Sequence, residues 1–185
     1  MISYLHGQVK LKNKDNLVVV IDNIGYEVFV PAPALEKINL EEEQEFFTHE
    51  YLRENARELY GFLSHNELLL FRELIKVSGV GPRMALNVLS LGADRVREAI
   101  SKGDAGLLAS ISGVGKKTSQ KIVLELKGIL SESLDINSQS TEEAIDVLKR
   151  LGYSQREASA ALQHLSAAET TEEKIKAALK ILGKR

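Results

Sequence analysis

Six residues near the middle of the chain, Ser78-Gly79-Val80-Gly81-Pro82-Arg83, return 34 positions later as Ser112-Gly113-Val114-Gly115-Lys116-Lys117. The flanks repeat as well. Leu74 and Val77 lead into the first copy as Leu108 and Ile111 lead into the second, and Leu86 and Leu89 follow the first as Gln120 and Val123 follow the second. Two copies do not make a solenoid; duplicated flanks together with duplicated glycines indicate shared descent and a shared task.

Each copy reads as an amphipathic helix, a tight glycine turn and a second helix. A residue without Cβ reaches positive φ freely and lets another chain come close. Because the turn opens directly into a helix, unpaired N–H groups and the positive end of the helix dipole face outward together. That combination binds an anion without a dedicated side chain. Cations lie within reach: Arg83 in the first copy, and Lys116, Lys117 and Lys121 in the second. The candidate phosphate-binding residues are therefore Gly79, Val80, Gly81, Arg83, Gly113, Val114, Gly115, Lys116, Lys117, Thr118 and Lys121. None of this reads a base. Gly113 to Thr118 has a faint likeness to a nucleotide-binding P-loop, but that signature needs glycine at Ser110 and Ser or Thr at Lys117, so no ATP site is inferred.

Charge is distributed to match. The net charge of −2 conceals 6 Lys and Arg against 11 Asp and Glu over residues 1–63, 10 against 6 over 64–131, and 8 against 9 over 132–185. The basic unit is the one that holds both glycine turns, as expected of a nucleic-acid footprint confined to one domain. The chain has no cysteine, which excludes disulfides, thiolate zinc sites and a cysteine nucleophile. His6, His49, His65 and His164 are scattered without metal-ligand spacing. No cofactor is expected. No stretch approaches 18 uninterrupted apolar residues, and Met1 to His6 lacks a charged-then-apolar leader pattern, so a cytoplasmic protein with no membrane contact is expected.

The organisation expected is α+β and multidomain. Residues 1–63 read as five short strands: Ile2 to Leu11, the β-branched run Leu17 to Ile21, Tyr26 to Val30 after a turn at Asp22-Asn23-Ile24-Gly25, Phe46 to Leu52, and Glu58 to Phe62. Five strands in so short a span suit a small closed barrel of the OB type, with an SH3-like barrel as the alternative. Residues 64–131 switch to a helical period and hold the tandem helix-hairpin-helix units. The polar residues 132–140 read as a flexible linker. Residues 141–185 read as a three-helix, UBA-like bundle whose helix starts have capping-box spacing at Ser140 and Glu143, Ser154 and Glu157, and Thr170 and Glu173. Such a bundle buries only a marginal core, so its use is to present a surface, with Leu151-Gly152-Tyr153 as the candidate partner-binding loop.

The two glycine hairpins, Ile24-Gly25-Tyr26-Glu27-Val28 and Leu59-Tyr60-Gly61-Phe62 in the barrel, and Leu151-Gly152-Tyr153 in the tail, taken in this order, resemble the RuvA family of Holliday-junction-binding proteins along the whole chain. The resemblance implies a non-catalytic homotetramer, one or two per junction, lying flat on a four-way DNA junction and holding it open and square for branch migration. It implies recruitment of the RuvB ATPase by the tail and of the RuvC resolvase into the same assembly. It also implies an acidic pin on a barrel hairpin at the centre of the tetramer. Glu54 matches one pin position, while Asn55 stands where the family has a second acid.

Other readings meet obstacles in the residues. Glycosylases and nucleases also use helix-hairpin-helix units, but a glycosylase needs an activated Asp just past the hairpin, and the first acid beyond the second turn is Glu125, on a helix. No paired carboxylates with metal-binding geometry are evident. In a protein-interaction adaptor the barrel and tail would matter and the basic middle unit would be incidental; such a protein binds neither junction nor linear duplex appreciably.

Overall fold

The computed structural model describes residues 1–162 and 171–183, with side chains described throughout except at 130–142. The chain divides into two compact units, Met1–Gly128 and Ile129–Arg185.

Five strands, β1 (Tyr4–Lys12), β2 (Asn16–Ile21), β3 (Ile24–Phe29), β4 (Glu43–Arg53) and β5 (Ala56–Phe62), close into a barrel in the order β1-β2-β3-β5-β4. β4 returns to β1, and only the β3–β5 seam is parallel. This closure is the OB-type arrangement. Alternation fills the interior: Leu5, Val9, Leu17, Val19, Val28 and Phe46 are buried inside it. Asp22 and Asn23 carry φ of 47° and 65°, and Ile21 pairs with Ile24 across them. They form a two-residue turn of the kind that suits the strand twist. β3 therefore begins at Ile24, two residues before the alternation suggests.

One element escapes the sequence pattern. α1 (Ala32–Lys37) follows Pro31 and has Pro33 in its first turn. The prolines read as the end of a strand, yet a helix tolerates proline in its first turn because those N–H groups have no partner there. Ala34 and Ile38 close the barrel core from this side.

α2 (His65–Leu74) starts where the Ser64 hydroxyl accepts from the Glu67 amide at 3.2 Å. It docks on the barrel through Phe71, whose ring meets Tyr60, Phe62 and His49 at centroid distances of 5.3, 4.8 and 5.5 Å. Burying one phenylalanine contributes about 1.5–3 kcal/mol, so this aromatic cluster is a substantial joint. The boundary expected at residue 63 is thus no gap in packing: the barrel and the helices up to Gly128 form one unit. α3 (Pro82–Leu89), α4 (Ala93–Lys102) and α5 (Ala105–Ala109) follow, and α6 (Lys116–Arg150) begins at the second glycine turn.

α6 runs through the stretch expected as a linker. Its backbone stays helical through 132–140 and past Ser140, so the Ser140–Glu143 pair lies inside a helix and starts none. Serine, asparagine and glutamine are weaker helix formers than alanine, but no glycine or proline occurs between Ile129 and Leu151 to break the run. The second unit is completed by α7 (Gln155–Leu162) and α8 (Thr171–Leu182), around Ala144, Leu148, Ala158, Ala161, Leu162 and Ala178. Ser154 and Glu157 cap α7 reciprocally, at 2.9 Å to the Ser154 amide and 3.3 Å from the Glu157 amide. Thr170 lies outside the described residues.

Candidate nucleic-acid interface

The two turns are built alike. In the first, the Val80 amide donates to the Val77 carbonyl at 3.0 Å, Gly79 has φ of 90°, and the Ala85 amide donates to the Gly81 carbonyl at 2.9 Å. In the second, Val114 donates to Ile111 at 3.0 Å, Gly113 has φ of 85°, and Ser119 donates to Gly115 at 2.9 Å. Val80 and Val114 are buried and anchor the turns, so their side chains face the core while the glycines on either side face outward.

The glycines divide by cause. Gly79 and Gly113 hold a backbone conformation that L side chains rarely adopt. Gly81 has an ordinary φ of −87°, Gly115 also lies outside the left-handed region, and a Cβ at either would meet nothing within 4 Å. Nothing inside the molecule requires glycine at these two positions. The room they leave lies at the start of α3 and α6, where the first N–H groups have no intrahelical partner. Pro82 removes one such donor from the first turn, whereas Lys116, its counterpart, keeps it. The second turn therefore offers one more amide, along with the exposed Lys116 and Lys117 and the half-buried Thr118.

The turns are also tied to each other. Asn87 Nδ2 donates to the Ser112 carbonyl at 3.4 Å, and Lys121 Nζ donates to the Ser78 carbonyl at 3.4 Å. Asn87 and Lys121 are counterparts in the 34-residue repeat, as are Ser78 and Ser112. Each second helix thus supports the other copy's turn, and the two bends are tied to each other. Asn87 carries no motif of its own in the sequence, although its place opposite Lys121 in the repeat is the signal that identifies it.

Arg83 departs from its counterpart Lys117. Its guanidinium lies over the Phe29 ring, 3.5 Å from the centroid, and reaches Asp15 Oδ2 at 2.6 Å and Glu58 Oε1 at 3.5 Å. Where the sequence places it among the phosphate-binding cations, the structure turns it onto the barrel. Glu58 also accepts from the Tyr60 hydroxyl at 2.8 Å; burial and this carboxylate raise the phenol's pKa above its ordinary value.

Glu54 and Asn55 form the exposed tip of the β4–β5 hairpin, closed by the Arg53–Ala56 pair. Below the tip, Arg53 lies over Tyr51 at 5.0 Å and 3.8 Å from Glu58, while Arg57 pairs with the buried Glu50. Burial pushes the Glu50 carboxyl up, but Arg57, the Ile2 amide and the N-terminal ammonium together outweigh it and hold the group below its ordinary value.

In the second unit, Leu151 and Gly152 are exposed, and Gly152 (φ 97°) closes α6 with the Gly152 amide on Lys149 and the Tyr153 amide on Leu148. Tyr153 packs on the core of this unit. A groove between α7 and α8, lined by Arg156, Glu157, Ala160, Ala161, Ile181 and Leu182, has no counterpart among the sequence expectations. Among the described residues no His, Asp and Glu cluster is arranged to hold a metal ion, and no helix is long and apolar enough to cross a membrane.

Comparison with known proteins matches three family models in succession: RuvA N terminal domain at residues 1–61, SAM-like helix-hairpin-helix tandem at 71–127, and RuvA C-terminal domain at 139–183. The chain is 40% identical to the Holliday junction branch migration complex subunit RuvA of Polaromonas sp. over 190 residues, covering all of both chains. It is 37% identical to the protein of the same name from Dechloromonas aromatica over 191 residues, again covering all of both. For that of Thermodesulfovibrio yellowstonii the identity is 37% over 166 residues, 89% of this chain and 87% of the relative.

Proposed function

The chain belongs to the RuvA family, and from that membership we propose that it binds four-way DNA junctions by shape and phosphate position and serves as the non-catalytic DNA-binding subunit of a branch-migration complex. The observation that carries the reading is the pair of like glycine turns, cross-supported by Asn87 and Lys121 and open to a close-approaching chain. Backbone amides at Gly79 to Gly81 and Gly113 to Gly115 take phosphate oxygens, and Lys116, Lys117 and Thr118 extend the second contact. Lys121 adds charge from the helix that braces the first turn. A site made of main-chain donors and exposed cations holds sugar-phosphate and carries no base preference.

The same membership supports a reading of the assembly. Four copies place their paired turns along the arms of an open, square junction, with Glu54 of each at the centre, where a carboxylate repels converging phosphates by about 1 kcal/mol at 4 Å in bulk water and more where water is partly excluded. Asn55 leaves one such charge per copy. The C-terminal unit, through Leu151, Gly152 and Tyr153, engages the RuvB ATPase, and RuvC joins the same assembly as one tetramer or two cover the junction. The compartment is the cytoplasm.

Competition binding tests the reading: a synthetic four-way junction displaces labelled junction at concentrations where linear duplex of equal length does not. Equal competition by the two DNAs contradicts it. Cleavage or base excision by the pure protein with Mg²⁺ would instead favour an enzyme.

A further inference from the structure

We infer that Arg83 is a positioning residue that fixes the first hairpin against the barrel, and that through this joint it sets the preference for a junction over a linear duplex. The inference rests on the junction-binding reading above. Arg83 is the second residue of α3, one turn from the first glycine bend, yet its partners all belong to the barrel. Asp15 precedes β2, Phe29 ends β3 and Glu58 lies on β5. One planar cation therefore gathers three separate parts of the barrel, stacked on the ring at 3.5 Å and bonded to Asp15 at 2.6 Å.

The backing is built rather than incidental. Phe29 packs on the buried Tyr60 at 5.7 Å, and Tyr60 donates to Glu58, so the ring and one carboxylate that receive Arg83 are themselves held from behind. A guanidinium matches such a site because it stacks and forks in one plane, whereas an ammonium does neither. The counterpart position holds Lys117, exposed and with no ion pair or ring contact among the described residues. The repeat thus uses one cation for DNA and the other for the barrel.

The consequence is geometric. Asn87 and Lys121 set the separation of the two turns, but a linear duplex needs only that. A junction also requires the turns to stand correctly relative to the barrel hairpin that carries Glu54. Arg83 supplies a fixed point between those two parts, together with the Phe71 joint.

The test compares wild-type protein, Arg83→Lys and Asp15→Asn on a four-way junction and on a linear duplex of equal length, with melting curves as a check on folding. Arg83→Lys keeps the charge and loses the stack, so the junction preference, read as the ratio of the two affinities, falls about fivefold, the equivalent of a cation–π interaction. Asp15→Asn lowers the preference in the same direction. Retained preference in Arg83→Lys overturns the inference, even with a lowered melting temperature. So does a rise in affinity for both DNAs in Asp15→Asn, which would mean that the acid was withholding Arg83 from phosphate. Equal wild-type affinity for the two DNAs overturns the junction reading itself.

Discussion

Gly113 and Gly115 stand two positions apart in one turn, and the same substitution should fail at each for a different reason. Gly113 occupies φ of 85°, where a β-branched residue costs about 1–3 kcal/mol, so Gly113→Val should lower both the melting temperature and junction affinity. Gly115 has unstrained backbone and open space, so Gly115→Val should melt like the wild type and lose about tenfold in affinity, near 1.4 kcal/mol, by obstructing the approaching strand. Melting curves and fluorescence anisotropy on both variants decide this; undiminished binding by a folded Gly115→Val would place the DNA elsewhere. Glu50 gives a pH signature. Its carboxyl titrates below its unfolded value, so its contribution to stability is complete above about pH 4.3 and is lost as pH falls through the lower folded value. Glu50→Gln should make that acid limb shallower in a plot of melting temperature against pH. At this scale Gly79 and Gly113 are legible because their constraint is local, whereas the fate of Arg83 is not: its carboxylate partners lie 68 and 25 residues away, and the repeat alone makes it the equal of Lys117.

Strands and hairpins are readable where local chemistry and tertiary burial agree. The run Leu17 to Ile21, the Asp22-Asn23 turn and the alternation into β3 all point to one structure, and it forms. α1 is hidden by prolines that signal an end in a strand and a beginning in a helix. α6 is hidden by composition: polar residues suggest a tether, while the lack of any breaker lets the helix run from Lys116 to Arg150. Ser138→Pro tests that continuity. Proline inside a helix costs about 3 kcal/mol, so the variant should lose helical signal in circular dichroism while binding junctions normally. An unchanged spectrum would mean that the polar run is no helix in solution.

For the whole molecule, an acidic barrel is joined to a basic helical region, and in the proposed assembly the first repels at the centre while the second grips along the arms. Weak contacts repeated by several copies bind strongly through effective concentration, so little is required of any single turn. The domain order is legible because each segment has its own period, whereas the assembly is proposed from family resemblance alone. A chain ending at residue 140 should bind junctions as the full chain does and fail to recruit RuvB in a pull-down on junction DNA; recruitment by the shortened chain would move the partner surface out of the tail. The central claim is that paired main-chain turns hold phosphates regardless of base order. Its most direct test is the salt dependence of affinity, measured on two junctions of unrelated sequence for the wild type and for the chain with Lys116 and Lys117 changed to alanine. The account predicts equal affinity for the two sequences and a log–log slope reduced by about 0.9 for each phosphate that the lysines no longer neutralise. A slope unchanged by the double substitution, or affinities that separate with sequence, would contradict it.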